Sequence, residues 1–171
     1  MANESAWADA YHEQSKEDLE AAKYIGKEGI APSVFCMLMQ MFYEKMAKAA
    51  LLKSGYMLVD NAIGSHKGAL TLIAILERMR KKRPELNNIS EREWNIVCKN
   101  IEELESLQPS FAKEKGKQKL EYPWEDFGGN IKWPSAHLDI VERMQNPRYK
   151  IKDHLLAFAG LLSENFDSLF T

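Results

Sequence analysis

Cysteine is scarce in this sequence, and its two copies, Cys36 and Cys98, both fall inside apolar helical patterns. No disulfide framework follows from them, both thiols read as small buried hydrophobes, and a reducing cytoplasm is the simplest setting. Proline and glycine are few, six and nine copies in 171 residues, which excludes fibrous and disordered chains. No stretch has the uninterrupted apolar length of a membrane span. At the N-terminus, MANESAWADAYHEQ has acidic and polar residues where a signal peptide needs a positive flank and an apolar run. The expectation is a cytoplasmic protein with no membrane contact. Neither charge sign dominates: 23 Lys and Arg stand against 25 Asp and Glu, and the net charge of −2 steers no partner by itself. What is present, 45 % hydrophobic and 28 % charged residues, is the make-up of an ordinary globular domain, and the chain is long enough to bury one substantial core.

Apolar residues recur at helical spacing, with no alternating β pattern and no internal repeat, so the expected class is all-α. A first helix spans about Ser5 to Lys27, with Trp7, Tyr11, Ala22 and Ile25 as its apolar edge and His12 and Glu13 on a solvated face. Ser15 with Asp18 resembles a capping box, which leaves one helix or two open. The central helix runs from Ile30 to Gly55. Pro32 suits its first turn, Gly55 the left-handed position past its end, and Val34, Leu38, Phe42, Ala49 and Leu52 belong to a stripe wide enough to be covered on several sides. Met37, Met39, Met41 and Met46 crowd it and read as core filling. Gly55 to Gly64 reads as a loop plugged by Tyr56 and Met57. A third helix spans about Ser65 to Arg83 with Leu70, Ile73, Leu76 and Met79 in step, stopped by Pro84. Ser90 and Glu93 form a capping box that opens a fourth, through Trp94, Val97, Ile101, Leu104 and Leu107 to Pro109. Pro134 starts a short helix through Leu138, Val141 and Met144, and a final helix from Lys150 to Leu169 leaves only a narrow polar face. The expected fold is thus a single domain over 1–171, an up-and-down bundle of four long helices plus a short extra one, with a long aromatic and Lys-rich loop before the last two.

Two stretches break this rhythm. Arg78, Arg80, Lys81, Lys82 and Arg83 close the third helix. They read either as cations meeting the negative end of the helix dipole, the simpler account, or as a nucleic-acid patch that contacts phosphate. Between Ser110 and Pro134, four aromatics, Tyr122, Trp124, Phe127 and Trp133, imply that the loop is packed down, while Lys113, Lys115, Lys117 and Lys119 supply a second basic stretch.

The first helix with Asp18, Ala21 and Ala22, followed by QMFYEKMAKAALLKSG from Gln40 to Gly55, resembles the HEPN (higher eukaryotes and prokaryotes nucleotide-binding) family of helical bundles. Glu44, Lys45, Lys48, Leu51, Leu52 and Gly55 fall in the register of its second helix. Ser65-His66 with Leu70 and Leu72 is similar to the opening of its third, and Leu120-Glu121-Tyr122-Pro123 is similar to its Arg-Tyr-Pro element, with Glu121 in place of Arg. The resemblance implies a function connected with nucleotides or RNA, a homodimer, and a nucleotidyltransferase or antitoxin partner in a toxin–antitoxin type system. It also implies a way to be catalytic, because similar proteins are metal-independent RNases that use an Arg and a His at the spacing of Arg148 and His154. A histidine near neutral pH moves the 2′-OH or leaving-group proton, and an Arg holds the scissile phosphate.

The leading expectation is a non-catalytic binding or partner module. Its alternatives are an endoribonuclease built on Arg148 and His154, and a structural homo-oligomerisation module. No cofactor is implied. Metal sites are not expected either: there is no Glu-x-x-His pair and no Cys/His zinc spacing, and His137 and Asp139, two apart on a helix, point away from each other.

Overall fold

A computed structural model of the chain describes residues 4–64, 68–107 and 117–170. The protein is all-α: α1 (Glu4–Glu28), α2 (Pro32–Lys53), α3 (Val59–Gly64), α4 (Ala69–Met79) with a 3-10 turn at Arg80–Lys82, α5 (Pro84–Asn87), α6 (Glu91–Ser106), α7 (Pro134–His137), α8 (Asp139–Gln145), α9 (Ile151–Glu164) and α10 (Phe166–Phe170). No helix among the described residues is long and apolar enough to cross a membrane.

The first two helices form the most extensive contact in the fold. They run antiparallel, since Gly26 faces Phe35, Asp18 pairs with Lys45 at 2.6 Å and Asp9 with Lys53 at 3.6 Å. Small residues make the close approach possible. Ala8, Ser15 and Ala22 recur at seven-residue steps along α1 and are completely covered, and a methyl group added at Gly26 would stand 3.2 Å from the Phe35 ring. Ser15 does not break the helix, because its hydroxyl donates to the His12 carbonyl at 2.7 Å within one continuous α1. Burial of Asp18 raises its carboxyl above the ordinary value, against the opposing bond from Lys45.

The second helix also touches α4, α6, α8, α9 and α10, as its wide apolar stripe requires. Phe35, Met39, Phe42, Tyr43 and Met46 are buried, and the Tyr43 hydroxyl donates to the Leu155 carbonyl of α9 at 2.8 Å. The box opening α6 forms as expected: Glu93 N–H donates to Ser90 Oγ at 3.2 Å and Ser90 N–H donates to Glu93 Oε2 at 3.1 Å.

Other elements differ from their expected form. The 55–64 stretch contains α3, whose Val59 and Ala62 join Ala8 and Leu52 in a satellite core. The third helix is described from Ala69, the expected Ser65-His66 opening lying outside the described residues. Its inward face carries Ala69, Leu72 and Leu76, while Leu70 is half exposed. The reason is tertiary. Glu105 of α6, buried, accepts the Gly68, Ala69 and Leu70 N–H groups at 2.8, 3.1 and 3.3 Å and so caps α4 from another helix. The final helix is interrupted at Asn165, and the segment after Pro134 is two short helices. Trp124–Glu125 and Ile131–Lys132 pair as a minimal antiparallel ladder. Of the four loop aromatics only Trp124 is buried; Tyr122, Phe127 and Trp133 are exposed, so the loop is not packed down by all four. Lys113 and Lys115 lie outside the described residues.

His12 is a further difference, because its ring stacks on Phe166 of α10 at 4.0 Å and its Nε2 is buried without a partner. Burial first, then the charge of Lys16, depress its pKa below 6.5, against the Ser163 backbone, Glu13 and Asp167. Between the lowered value and 6.5 the unfolded chain binds a proton that the folded chain refuses, so stability falls as pH drops below 6.5. The urea midpoint of the native protein should fall between pH 7 and pH 5 by more than that of His12→Phe, which keeps a stack and removes the titrating group. The α1–α2 seam makes a separate demand: Ala22→Leu should cost about 1–3 kcal/mol by denaturant titration, whereas Ala21→Leu, on the exposed side, should stay within roughly 0.5 kcal/mol.

Candidate binding cleft

The five cations after Glu77 do not act together. Arg80 turns inward, its guanidinium lying 5.0 Å from the Trp94 ring centroid, donating to the Ile89 carbonyl at 2.5 Å and pairing with Glu91 at 3.0 Å. It is buried, and it ties the C-terminal end of α4 to the start of α6. Lys81 is exposed.

Arg78, Lys82 and Arg83 instead line a cleft of about 980 Å³ between the C-terminal end of α2, the outer face of α4 and α10. Helical spacing explains the wall. Thr71, Ala74, Ile75 and Arg78 stand three and four apart, on the side of α4 away from Leu72 and Leu76. Leu51, Met57, Leu169 and Phe170 complete an apolar floor, with Tyr56 at the mouth. Among the described residues lining this cleft none is acidic. Glu77, which precedes Arg78 in sequence, does not line the cleft, and Glu85, two residues after Arg83, lines a separate groove. Its pKa is held low by its own backbone N–H and by Ser168, with Arg83 a smaller cause.

That second groove, about 260 Å³, contains His154 together with Glu93, Val97 and Phe158. His154 Nδ1 lies 4.0 Å from Glu93 Oε1, on the carboxylate that already serves as the α6 cap, where bonds from Ser90 hold its pKa low. Arg148 lies in the turn before α9, exposed, its backbone N–H donating to Asn146 Oδ1 at 3.0 Å, and it does not line the groove of His154. The two candidate catalytic residues therefore occupy different surroundings, and a carboxylate rather than a guanidinium stands beside the imidazole.

The remaining chemistry-bearing groups are structural. Arg143 joins Asp139 at 2.6 Å, Asn100 at 3.1 Å and Glu103, tying α8 to α6. This removes Asp139 from any pairing with His137, whose ring stands edge-on to Trp133 at 4.4 Å. Burial pushes the Cys36 thiol up to about 12 and the Cys98 thiol up to about 11, so neither is a thiolate near neutral pH. No cluster of His, Cys, Asp and Glu fit to hold a metal occurs among the described residues. Sequence reasoning missed the cleft itself. Its signal was the second face of α4, where Thr71, Ala74, Ile75 and Arg78 share a helical period.

What fold and cleft define is an all-α protein with an apolar concavity edged by three cations. Comparison with family models, curated proteins and solved structures finds no match to the chain.

The split among the cations has a direct consequence. Arg80→Ala leaves Trp94 and the Ile89 carbonyl without their partner and should cost about 2–3 kcal/mol in denaturant titration; Lys81→Ala, on the exposed side, should change stability by less than about 0.5 kcal/mol.

Proposed function

We propose that this chain is a HEPN-like helical bundle that works as a non-catalytic binding module for a nucleotide or RNA, as a homodimer beside a nucleotidyltransferase or antitoxin partner. The observation that supports this reading most is the convergence of Arg78, Lys82 and Arg83 on a cleft with no acidic side chain among its described lining residues. Three cations at one edge of a concave, largely apolar site suit a phosphate group: each contributes charge-assisted donors, and the apolar surroundings strengthen them. The second helix, with Glu44, Lys45, Lys48 and Gly55 in family register, supports the HEPN part of the reading. Lys45 and Lys48 are spent on Asp18 and Glu44, at 2.6 and 2.7 Å, so that helix serves as scaffold rather than as ligand surface. The non-catalytic part rests on the surroundings of His154, where Glu93 is the charged neighbour and Arg148 is not in the groove wall.

Calorimetric titration with ATP and with a short single-stranded RNA tests the reading. Binding is expected for at least one of them, weakened about tenfold or more in the Arg78→Ala/Lys82→Ala/Arg83→Ala variant and falling as salt rises. Metal-independent RNA cleavage that disappears in His154→Ala would falsify it in favour of the endoribonuclease, and affinity unchanged in the triple variant would remove the cleft as the site.

A further inference from the structure

The cleft that carries the phosphate reading also constrains the rest of the ligand. We infer that it takes an organic phosphate bearing an aliphatic chain, of the acyl-nucleotide kind, rather than a bare RNA strand. This rests on the phosphate reading above and deepens it.

The cations form one cluster and not a track. Arg78 and Lys82 are one helical turn apart, Arg83 follows directly, and the two residues that would extend the run lie elsewhere: Arg80 is committed to Trp94, Ile89 and Glu91, and Lys81 is not in the cleft wall. A single-stranded nucleic acid calls for a basic groove that follows successive phosphates and for aromatic faces on which bases stack. Inside this cleft the aromatic residues are Phe170, almost wholly buried, and Tyr56, which stands out at the mouth with 73 % exposure. Groups able to read a base edge are equally few. Apart from the cations, the side-chain polar groups in the wall are three hydroxyls, those of Thr71, Tyr56 and Ser54, the last with its proton donated to the Ala50 carbonyl at 2.8 Å.

Aliphatic surface fills the remainder. Met57, Ala74, Ile75 and Met79, exposed or half-buried, continue from the cationic edge across the space between α2, α4 and α10, over Leu51 and Leu169, which are almost wholly buried. About 980 Å³ lies at the upper end of the range for small-molecule sites, far more than one cluster of phosphates occupies. A ligand that matches both halves has a compact polyanionic head on Arg78, Lys82 and Arg83 and a flexible hydrocarbon part on the floor. A coenzyme A thioester of a medium-chain acid has this chemistry, and so does a simple alkyl phosphate. They differ in whether a nucleotide is needed at the head.

The test measures the affinity of the full chain for ATP, coenzyme A, dodecanoyl-coenzyme A, dodecyl phosphate, dodecyltrimethylammonium and a short single-stranded RNA, each below its micelle concentration. Dodecanoyl-coenzyme A is expected to bind roughly tenfold or more tightly than coenzyme A and ATP, because the chain removes its apolar surface from water. Ala74 is exposed, so Ala74→Trp fills the floor without entering the core and should bring the acyl compound down to the level of coenzyme A. Ala74→Glu, a good helix former that places a carboxylate in the floor, makes the same demand if the indole disturbs folding. The cationic detergent should not bind. Equal affinity for coenzyme A and its acyl ester, tighter binding of RNA than of any chain-bearing phosphate, or detergent binding regardless of charge overturns the inference while the phosphate reading is judged on ATP and RNA alone. Binding of dodecyl phosphate without ATP, coenzyme A or RNA supports the inference and overturns the nucleotide reading. If no phosphate compound binds, both fall.

Discussion

The placement of α4 on α6 by two charged side chains of opposite sign is the constraint on which the rest of the molecule depends. Glu105 accepts three backbone N–H groups at one end of α4, and Arg80 reaches the Ile89 carbonyl, Glu91 and Trp94 from the other. Each sign meets the end of the helix dipole that favours it. The helix between them is apolar on almost every side, so hydrophobic burial alone would leave its rotation loosely determined. Pinned at both ends, α4 turns Leu72 and Leu76 into the core and leaves Thr71, Ala74, Ile75 and Arg78 facing outward. The cleft is the outer face of a helix whose inner face has been chosen for it.

The opposite wall has a different origin. Leu169 and Phe170 of α10 reach the cleft because α10 is held against α1 and α2. Lys53 at the end of α2 pairs with Asp167 at 3.1 Å and Asp9 at 3.6 Å, and the neutral His12 ring lies flat on Phe166. Exposed ion pairs of this kind contribute little each. The stack and the burial of Phe166, Leu169 and Phe170 contribute more, which makes the close α1–α2 seam a condition for the shape of the cleft on the far side of the bundle.

Features set by neighbours in sequence were legible. The Ser90/Glu93 box, Pro32 opening α2, Gly55 past its end with φ of +70° and the wide stripe of α2 all stand as the sequence implies, because their partners lie within a few residues or because nearly every side of the helix is covered. Features set by distant partners were not. Leu70 and Leu72 are chemically equal and a period of 3.6 fits either, so the choice between them waits for Glu105, some thirty-five residues away. His12 in a run of charges reads as solvated until Phe166 covers it. The aromatics of the 122–133 segment suggest packing by composition, yet a two-residue ladder gives them no second layer to pack against. The candidate cations were visible as a run but not as a division of labour, since one run of five holds an anchor, a bystander and three wall residues.

That division bears on the simpler account of the run, compensation of the helix dipole. The negative end of a helix is equivalent to roughly half an elementary charge, and its influence fades within the last turn. Arg80 alone, buried there against Trp94 and hydrogen-bonded to a carbonyl, supplies a full charge at that place, although Glu91 offsets part of it. Arg78, Lys82 and Arg83 are then in excess of what the dipole requires, in a protein whose overall charge is negative. Arg78 and Lys82 are exposed and Arg83 is half-buried. The three share the wall of one cleft with Ile75, Met79 and Leu169. Dipole compensation accounts for one cation of the run, and the other three are placed by the outer face of α4 and the turn that follows it, at the cleft.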